Sequence, residues 1–93
     1  MGYVEVEQFK MAGGVDAEEF VRRDAALQAW SYVHRPGLVR RTTALGADGE
    51  VLVLSVFHGA EPTPASPDAV VLASFTEAID ASSYRRAVYR DLG

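Results

Sequence analysis

The chain has 93 residues, of which 48% are apolar and 24% are charged, and its formal net charge is −4. This composition is typical of a folded chain and predicts one domain over residues 1–93 with a modest core. The absence of cysteine excludes disulfides, thiolate catalysis and cysteine-based zinc sites. The negative charge argues against non-specific nucleic-acid binding, and no apolar run reaches the roughly 20 residues that span a bilayer. The segment "MGYVEVEQFK" lacks the features of a signal peptide, so we expect a cytoplasmic protein with neither a nucleic-acid nor a membrane partner.

The first half of the chain predicts a strand, a helix and a β-hairpin. The β-branched and aromatic segment Tyr3–Met11 is typical of a strand. A helix is expected from the capping residue Asp16 to about Val33, and the sequence "HRPG" ends it because proline disfavours helical geometry at the preceding residue. Two further strands follow, "LVRRTTAL" and "EVLVLSVFH", joined by a turn at Asp48-Gly49.

The second half predicts a loop, a helix and a last strand. Three prolines within "GAEPTPASP" indicate an exposed loop, and Ser66-Pro67 is typical of a helix N-cap followed by the first helical residue. The helix that follows places four apolar residues on one face: Val71, Leu72, Phe75 and Ile79. The segment "YRRAVYRDL" is the last expected strand.

The order βαββαβ predicts a ferredoxin-like α+β fold, with a four-stranded antiparallel sheet and both helices on one face. This arrangement leaves the other face of the sheet bare, although the third strand is apolar on both faces. A large exposed apolar face marks an interaction surface. We therefore expect a homodimer in which the sheets of two copies pack face to face.

The first helix carries an acid and an amide, Asp24 and Gln28, on its most apolar stripe. Burying a carboxylate costs several kcal/mol unless it is paired and hydrogen-bonded. A tight turn at Gly46 and Gly49 would set Arg41 opposite Leu54. This register puts Arg41, Thr43 and His58 on the face that also carries Leu52, Leu54 and Val56. We expect this more apolar face to pack under the helices, with Arg41 below Asp24.

The segments "RPGLVRRTTAL", "ADGEVLVLSVF" and "IDASSYRRAVYRDL" resemble the dimeric α+β-barrel superfamily, and within it the small proteins related to antibiotic-biosynthesis monooxygenases. The resemblance implies a dimeric barrel with a substrate pocket between helices and sheet. Its members include cofactor-independent oxygenases of polycyclic aromatics, haem-degrading enzymes, lactone isomerases and proteins without known activity. Many of the oxygenases and haem-degrading members use an asparagine with a tryptophan. This chain contains no asparagine, and Gln28 is the available amide in its place.

These observations lead to two hypotheses for the polar stripe. In the first, a pocket binds a small aromatic or enolisable molecule without a cofactor, and the protein is a monooxygenase-like oxidoreductase. Asp24 is then a base or an orienting group, Arg41 stabilises an anion, Gln28 positions the substrate and His58 is a further candidate base. The substrate-binding candidates are Phe20, Leu27, Trp30, Thr43 and Phe75. In the second hypothesis, an Asp24–Arg41 ion pair only locks the helix onto the sheet of a non-catalytic binding or structural module.

Other residues leave further alternatives open. Glu5 and Glu7 share a strand face, which we expect to meet solvent or an interface more readily than the interior. His34 is expected to cap the first helix, and haem binding through His34 or His58 is a third possibility for function. Tyr84 and Tyr89 are expected to pack at the dimer interface or on the sheet. The spacing of the two histidines predicts no metal site.

Overall fold

The computed structural model describes residues 1–65 and 69–93, so the expected N-cap at Ser66-Pro67 lies outside the described residues. The helices and strands, in chain order, are β1 (Gly2–Lys10), α1 (Ala17–His34), β2 (Leu38–Leu45), β3 (Glu50–His58), α2 (Val70–Glu77), a short 3₁₀ helix (Ala81–Ser83) and β4 (Arg85–Arg90). No helix among the described residues is both long and apolar enough to cross a membrane.

The four strands form an antiparallel sheet in the order β2-β3-β1-β4, with β1 and β3 in the centre. The two helices pack on the same face of this sheet, where residues of both join one apolar cluster with residues of β1 and β3. The ferredoxin-like α+β fold predicted from the order of the elements is therefore confirmed.

Local chemistry fixes both ends of α1. The Asp16 carboxylate accepts a hydrogen bond of 2.8 Å from the Glu19 amide, which satisfies one of the free N–H groups of the first turn. At the other end, the Arg35 amide donates to the Ser31 carbonyl at 2.9 Å before Pro36 turns the chain away. The buried face of α1 carries Phe20, Asp24, Leu27 and Ser31, so the acid predicted to turn inward does so.

Three phenylalanine rings from three different elements form the centre of the core. Phe9 of β1 lies 5.9 Å from Phe20 of α1 and 5.7 Å from Phe75 of α2, measured between ring centroids. The Phe20 and Phe75 rings are 5.5 Å apart. Tilted and edge-on contacts at these distances stabilise aromatic pairs beyond their burial alone. This cluster joins both helices to the sheet.

The predicted register of the β2–β3 hairpin is wrong by one residue. Gly46 pairs with Glu50, and the Gly49 amide donates to the Gly46 carbonyl at 3.0 Å, so three residues form the loop instead of two. Gly49 has φ +84°, the left-handed conformation that closes such a loop, and Asp48 accepts from the Glu50 amide. Arg41 therefore faces Ser55.

The predicted helix-facing side of β3 is wrong for a separate reason: the more apolar side of the strand was expected to pack under the helices, but it faces away from them. Val51, Val53, Ser55 and Phe57 are buried under the helices, whereas Leu52, Leu54 and Val56 lie on the opposite face. For β2, the error in register and the error in the face of β3 compensate each other. Arg41 and Thr43 therefore face the helices, as predicted.

The face of the sheet opposite the helices is apolar, and we call it the outer face. Its central residues are each only partly covered within one chain: Val4, Val6, Leu52, Leu54 and Val56. Tyr89 of β4 lies opposite Val4 on this face and is 59% exposed. A single chain therefore leaves a contiguous apolar surface in contact with water.

Candidate functional site

A cavity of about 320 Å³ lies between the sheet, the two helices and residues 64–65 of the loop after β3. Its walls are mainly apolar: Leu27, Pro64, Ala65, Leu72, Phe75, Ile79 and Ala81. Its polar lining comes mostly from the sheet side: Glu5, Glu7, Ser31, Arg35, Arg41, Thr76, Tyr84 and Arg86. An apolar cleft with a few converging polar groups is the usual form of a small-molecule site.

Arg41 is the cavity's most enclosed cation, with a side chain only 3% exposed. Its Nη1 donates to the Asp24 carboxylate at 2.9 Å and to the Thr43 hydroxyl at 3.3 Å. Thr43 in turn donates to Asp24 at 3.0 Å, and the guanidinium lies 5.6 Å from the centre of the Phe75 ring. The Asp24 carboxylate and the Phe75 ring thus fix the position of the guanidinium beside the cavity.

A second buried charge cluster is centred on Glu5, which is 1% exposed. Arg35 donates to both of its carboxylate oxygens, at 2.8 and 3.1 Å, and Arg86 donates to one of them at 2.8 Å. Burial alone would raise the pKa of the Glu5 carboxyl, but the hydrogen bonds and charges of Arg35 and Arg86 outweigh it and hold the pKa below 4.5. Glu5 is therefore a fixed anion.

Glu7, two residues further along the same face, has a different environment. Its Oε2 accepts a hydrogen bond of 2.6 Å from the Tyr84 hydroxyl. Burial raises the pKa of the Glu7 carboxyl, and the nearby charge of Glu5 adds to this, against the lowering effects of the Tyr84 hydrogen bond and of Arg41 and Arg35. Burial and the hydrogen bond to Glu7 also raise the pKa of Tyr84, which stays a neutral donor.

The structure brings some of the sequence-predicted site residues together. Leu27, Arg41 and Phe75 line the cavity, while Asp24 and Thr43 bind Arg41 without lining the cavity themselves. The predicted Asp24–Arg41 ion pair and a cavity beside it therefore coexist, although the two hypotheses treated them as alternatives.

Four other predicted residues lie outside the described lining of this cavity. Phe20 is in the aromatic core, and Trp30 packs at its edge and stacks on His34 at 4.9 Å. Gln28 is partly exposed on α1. The prediction that His58 shares a face with Arg41 is wrong, because His58 pairs with Gly2 on the outer face and is exposed.

Sequence reasoning missed the carboxylates and arginines of the sheet side. The expectation that Glu5 and Glu7 meet solvent or an interface is wrong, because both line the cavity. The sequence pattern predicts no role for Arg35 or Arg86, yet both pair with Glu5. Phe9 could have indicated this, because it lies on the same face of β1 as the two glutamates and is fully buried. Alternate residues of a strand point to the same face, so a buried Phe9 implies that Glu5 and Glu7 also face inward.

No group of three or more histidine, aspartate or glutamate side chains that could hold a metal ion occurs within residues 1–65 and 69–93. His34 and His58, the residues considered for haem, are exposed and outside the described lining of the cavity.

No protein-family model matches the chain, and the comparison with curated proteins also finds no match. Among solved structures, the chain is similar to SnoaB, a cofactor-independent oxygenase from Streptomyces nogalater. The similarity covers 99% of this chain and 94% of the SnoaB chain, with a TM-score of 0.71 and 16% sequence identity. The chain therefore shares the ferredoxin-like α+β fold of SnoaB.

Proposed function

We propose that the protein binds a small phenolic or enolisable aromatic molecule in the cavity and oxygenates it without a cofactor. The observation that carries this proposal is the buried guanidinium of Arg41 at the edge of an otherwise mainly apolar cavity of about 320 Å³. This volume is at the lower end of the range for small-molecule sites, which favours a ligand of a few rings.

Arg41 stabilises the anion that forms when such a ligand loses a proton. A phenolate or enolate oxygen is a better hydrogen-bond acceptor than the neutral group, so the guanidinium binds the anion more tightly. Asp24 and Thr43 orient Arg41 before the ligand arrives, which reduces the reorganisation needed during reaction. Asp24 is thus a positioning residue in this proposal.

The oxygenation step is supported by the fold shared with a cofactor-independent oxygenase. Dioxygen is the oxidant, and the electrons come from the deprotonated substrate. A CH₂ group beside the aromatic system becomes a carbonyl, one oxygen atom enters the product and the other leaves as water with the two hydrogens. The protein's own residues bind the anion and exclude water.

The outer face supports a homodimer as the working form. Val6, Leu54 and the neighbouring apolar side chains are only partly covered within one chain, and a second copy would bury them. The sheets of the two copies then pack face to face, and each chain keeps its own cavity on the side of its helices.

A second candidate function is ligand binding without turnover. The observation that favours it is the pairing of Arg41 with Asp24 and of Glu5 with two arginines, because these pairs fulfil a structural role without any substrate. Oxygen uptake distinguishes the two functions, since a binding protein consumes none.

The test is binding and oxygen uptake with phenols and 1,3-diketones of one to three rings that carry a CH₂ group beside the aromatic system. We expect micromolar to millimolar binding by the wild type and its loss in Arg41→Lys, because lysine keeps the charge but loses the planar fork. Arg85→Lys is the matched control, since Arg85 pairs with Glu50 at the surface. Equal binding by Arg41→Lys and the wild type would refute the role of Arg41.

A further inference from the structure

Glu7 differs from the other two carboxylates around the cavity in what holds it. Asp24 is bound to Arg41, and Glu5 is bound to Arg35 and Arg86. The hydrogen-bond partner of Glu7 is the neutral hydroxyl of Tyr84, which reaches only Oε2. Among the described residues, Oε1 of Glu7 makes no hydrogen bond, and Glu7 lines the cavity.

The charges of the cavity balance only when Glu7 is ionised. Three arginines, Arg35, Arg41 and Arg86, then face three carboxylates. If Glu7 takes up a proton, the cluster gains one positive charge, which one anionic ligand balances. Transfer of a proton from a neutral ligand to Glu7 therefore leaves the net charge of this partly enclosed site unchanged. This matters because an unbalanced charge is costly away from water.

We propose that Glu7 accepts the proton of the ligand, so that the cavity binds a neutral phenol or enol as its anion and keeps the proton. This inference rests on the proposed function, since it assigns the base for the same site. The O–H bond of the ligand breaks, its electron pair stays on the ligand oxygen, and the proton moves to Oε1 of Glu7. The new anion faces Arg41.

The surroundings of Glu7 suit this exchange. Burial and the charge of Glu5 on the same strand raise the pKa of Glu7, while Arg41 of β2, Arg35 after α1 and the Tyr84 hydroxyl oppose this. Arg86 of β4 lies directly opposite Glu7 in the sheet and binds Glu5 instead. A carboxylate with a raised pKa is a stronger base, which favours proton uptake from the ligand.

Asp24, the base considered from the sequence, is less suited to this role. Its Oδ1 accepts hydrogen bonds from both Arg41 and Thr43, so this oxygen is already occupied by groups of the protein. Asp24 holds Arg41 in place, whereas Glu7 has a free oxygen at the cavity. Asp24 thus positions Arg41 and Glu7 accepts the proton, whereas the sequence pattern suggested Asp24 for either role.

The test follows the proton when a coloured phenol binds. The probes are 4-nitrophenol and 4-nitro-1-naphthol, whose neutral and ionised forms absorb at different wavelengths. Each is titrated into the protein about one pH unit below its own pKa, where the free probe is mostly neutral. The spectrum reports the form bound, and calorimetry in two buffers of different ionisation enthalpy reports protons released to solvent.

We expect the wild type to bind the ionised probe and to release fewer than about 0.2 protons per probe, because Glu7 keeps the proton. Glu7→Gln loses this combination: it either binds the ionised probe and releases about one proton, or binds the neutral form. Glu50→Gln, at a surface ion pair on β3, behaves as the wild type. Retention of the combination in Glu7→Gln, or a wild type that releases the proton or binds the neutral probe, would overturn the role of Glu7. Failure of the wild type to bind either probe would instead count against the proposed function itself.

Discussion

Two glutamates on one face of β1 should affect stability with opposite signs. Glu5→Gln removes the carboxylate between Arg35 and Arg86 and leaves two partly buried guanidinium groups without their anion. Breaking a buried ion pair in this way costs about 3–5 kcal/mol. At about 4–8 °C per kcal/mol for a chain of this size, the melting temperature should fall by more than roughly 10 °C. Glu7→Gln should instead raise the stability at neutral pH, because burial and the charge of Glu5 disfavour the ionised carboxylate more than Arg41, Arg35 and the Tyr84 hydrogen bond favour it.

The pH dependence separates these two effects. The pKa of Glu5 is lower in the folded chain, so its contribution is fully present above pH 4.5 and is lost as the pH falls through the folded pKa. The pKa of Glu7 is raised on folding, so its cost develops as the pH rises from 4.5 through the folded pKa. The gain from Glu7→Gln should therefore vanish in acid, and the loss from Glu5→Gln should shrink there.

Urea denaturation of the three proteins between about pH 4 and pH 8, followed by circular dichroism, measures both changes. Glu50→Gln is the matched control, and an exposed ion pair of this kind contributes at most about 1 kcal/mol. If Glu5→Gln and Glu7→Gln destabilise the fold equally at neutral pH, the assignment of a paired and an unpaired carboxylate is wrong.

Three further predictions concern the ion pair, the turns and the outer face. Asp24→Asn leaves Arg41 without its anion and should cost about 3 kcal/mol in urea denaturation; a loss below about 1 kcal/mol would contradict the buried pair. Gly49→Ala should cost about 1–2 kcal/mol for its φ of +84°, whereas Gly37→Ala should cost more, because its Cβ would also clash with the His58 carbonyl oxygen; equal losses would refute this difference. Leu54→Glu should convert a dimer into a monomer in analytical ultracentrifugation, and a wild type that sediments as a monomer would refute the dimer.

The elements of the fold follow from local sequence chemistry. The strands "LVRRTTAL" and "EVLVLSVFH" begin and end where their β-branched residues and flanking glycines predict. The first helix begins after Asp16, whose side chain caps it, and ends where Pro36 requires. Short-range preferences act within a few residues, so these elements can be predicted from the sequence without knowledge of the packing.

The pairing of residues that are distant in the chain could not be predicted from local patterns. Asp48-Gly49 is compatible with loops of two and of three residues, and the choice between them changes the register of every pair in the hairpin. Similarly, both faces of β1 carry a mixture of polar and apolar residues, so the sequence does not show which face is buried. The glutamates face inward because of Arg35 and Arg86, which lie far away in the chain. The inward Asp24 was predictable because the helical stripe is a local pattern.

Glu5 also connects parts of the chain that would otherwise open separately. Its two arginines lie 30 and 81 residues away, and each donates a further hydrogen bond to the proline-rich segment, at the carbonyls of Thr63 and Pro62. One anion therefore fastens the end of α1, strand β4 and the rim of the cavity to the same point. These three segments should lose protection from amide hydrogen exchange together, as one cooperative unit, so that fluctuations that admit a ligand involve the edge strand as well as the rim.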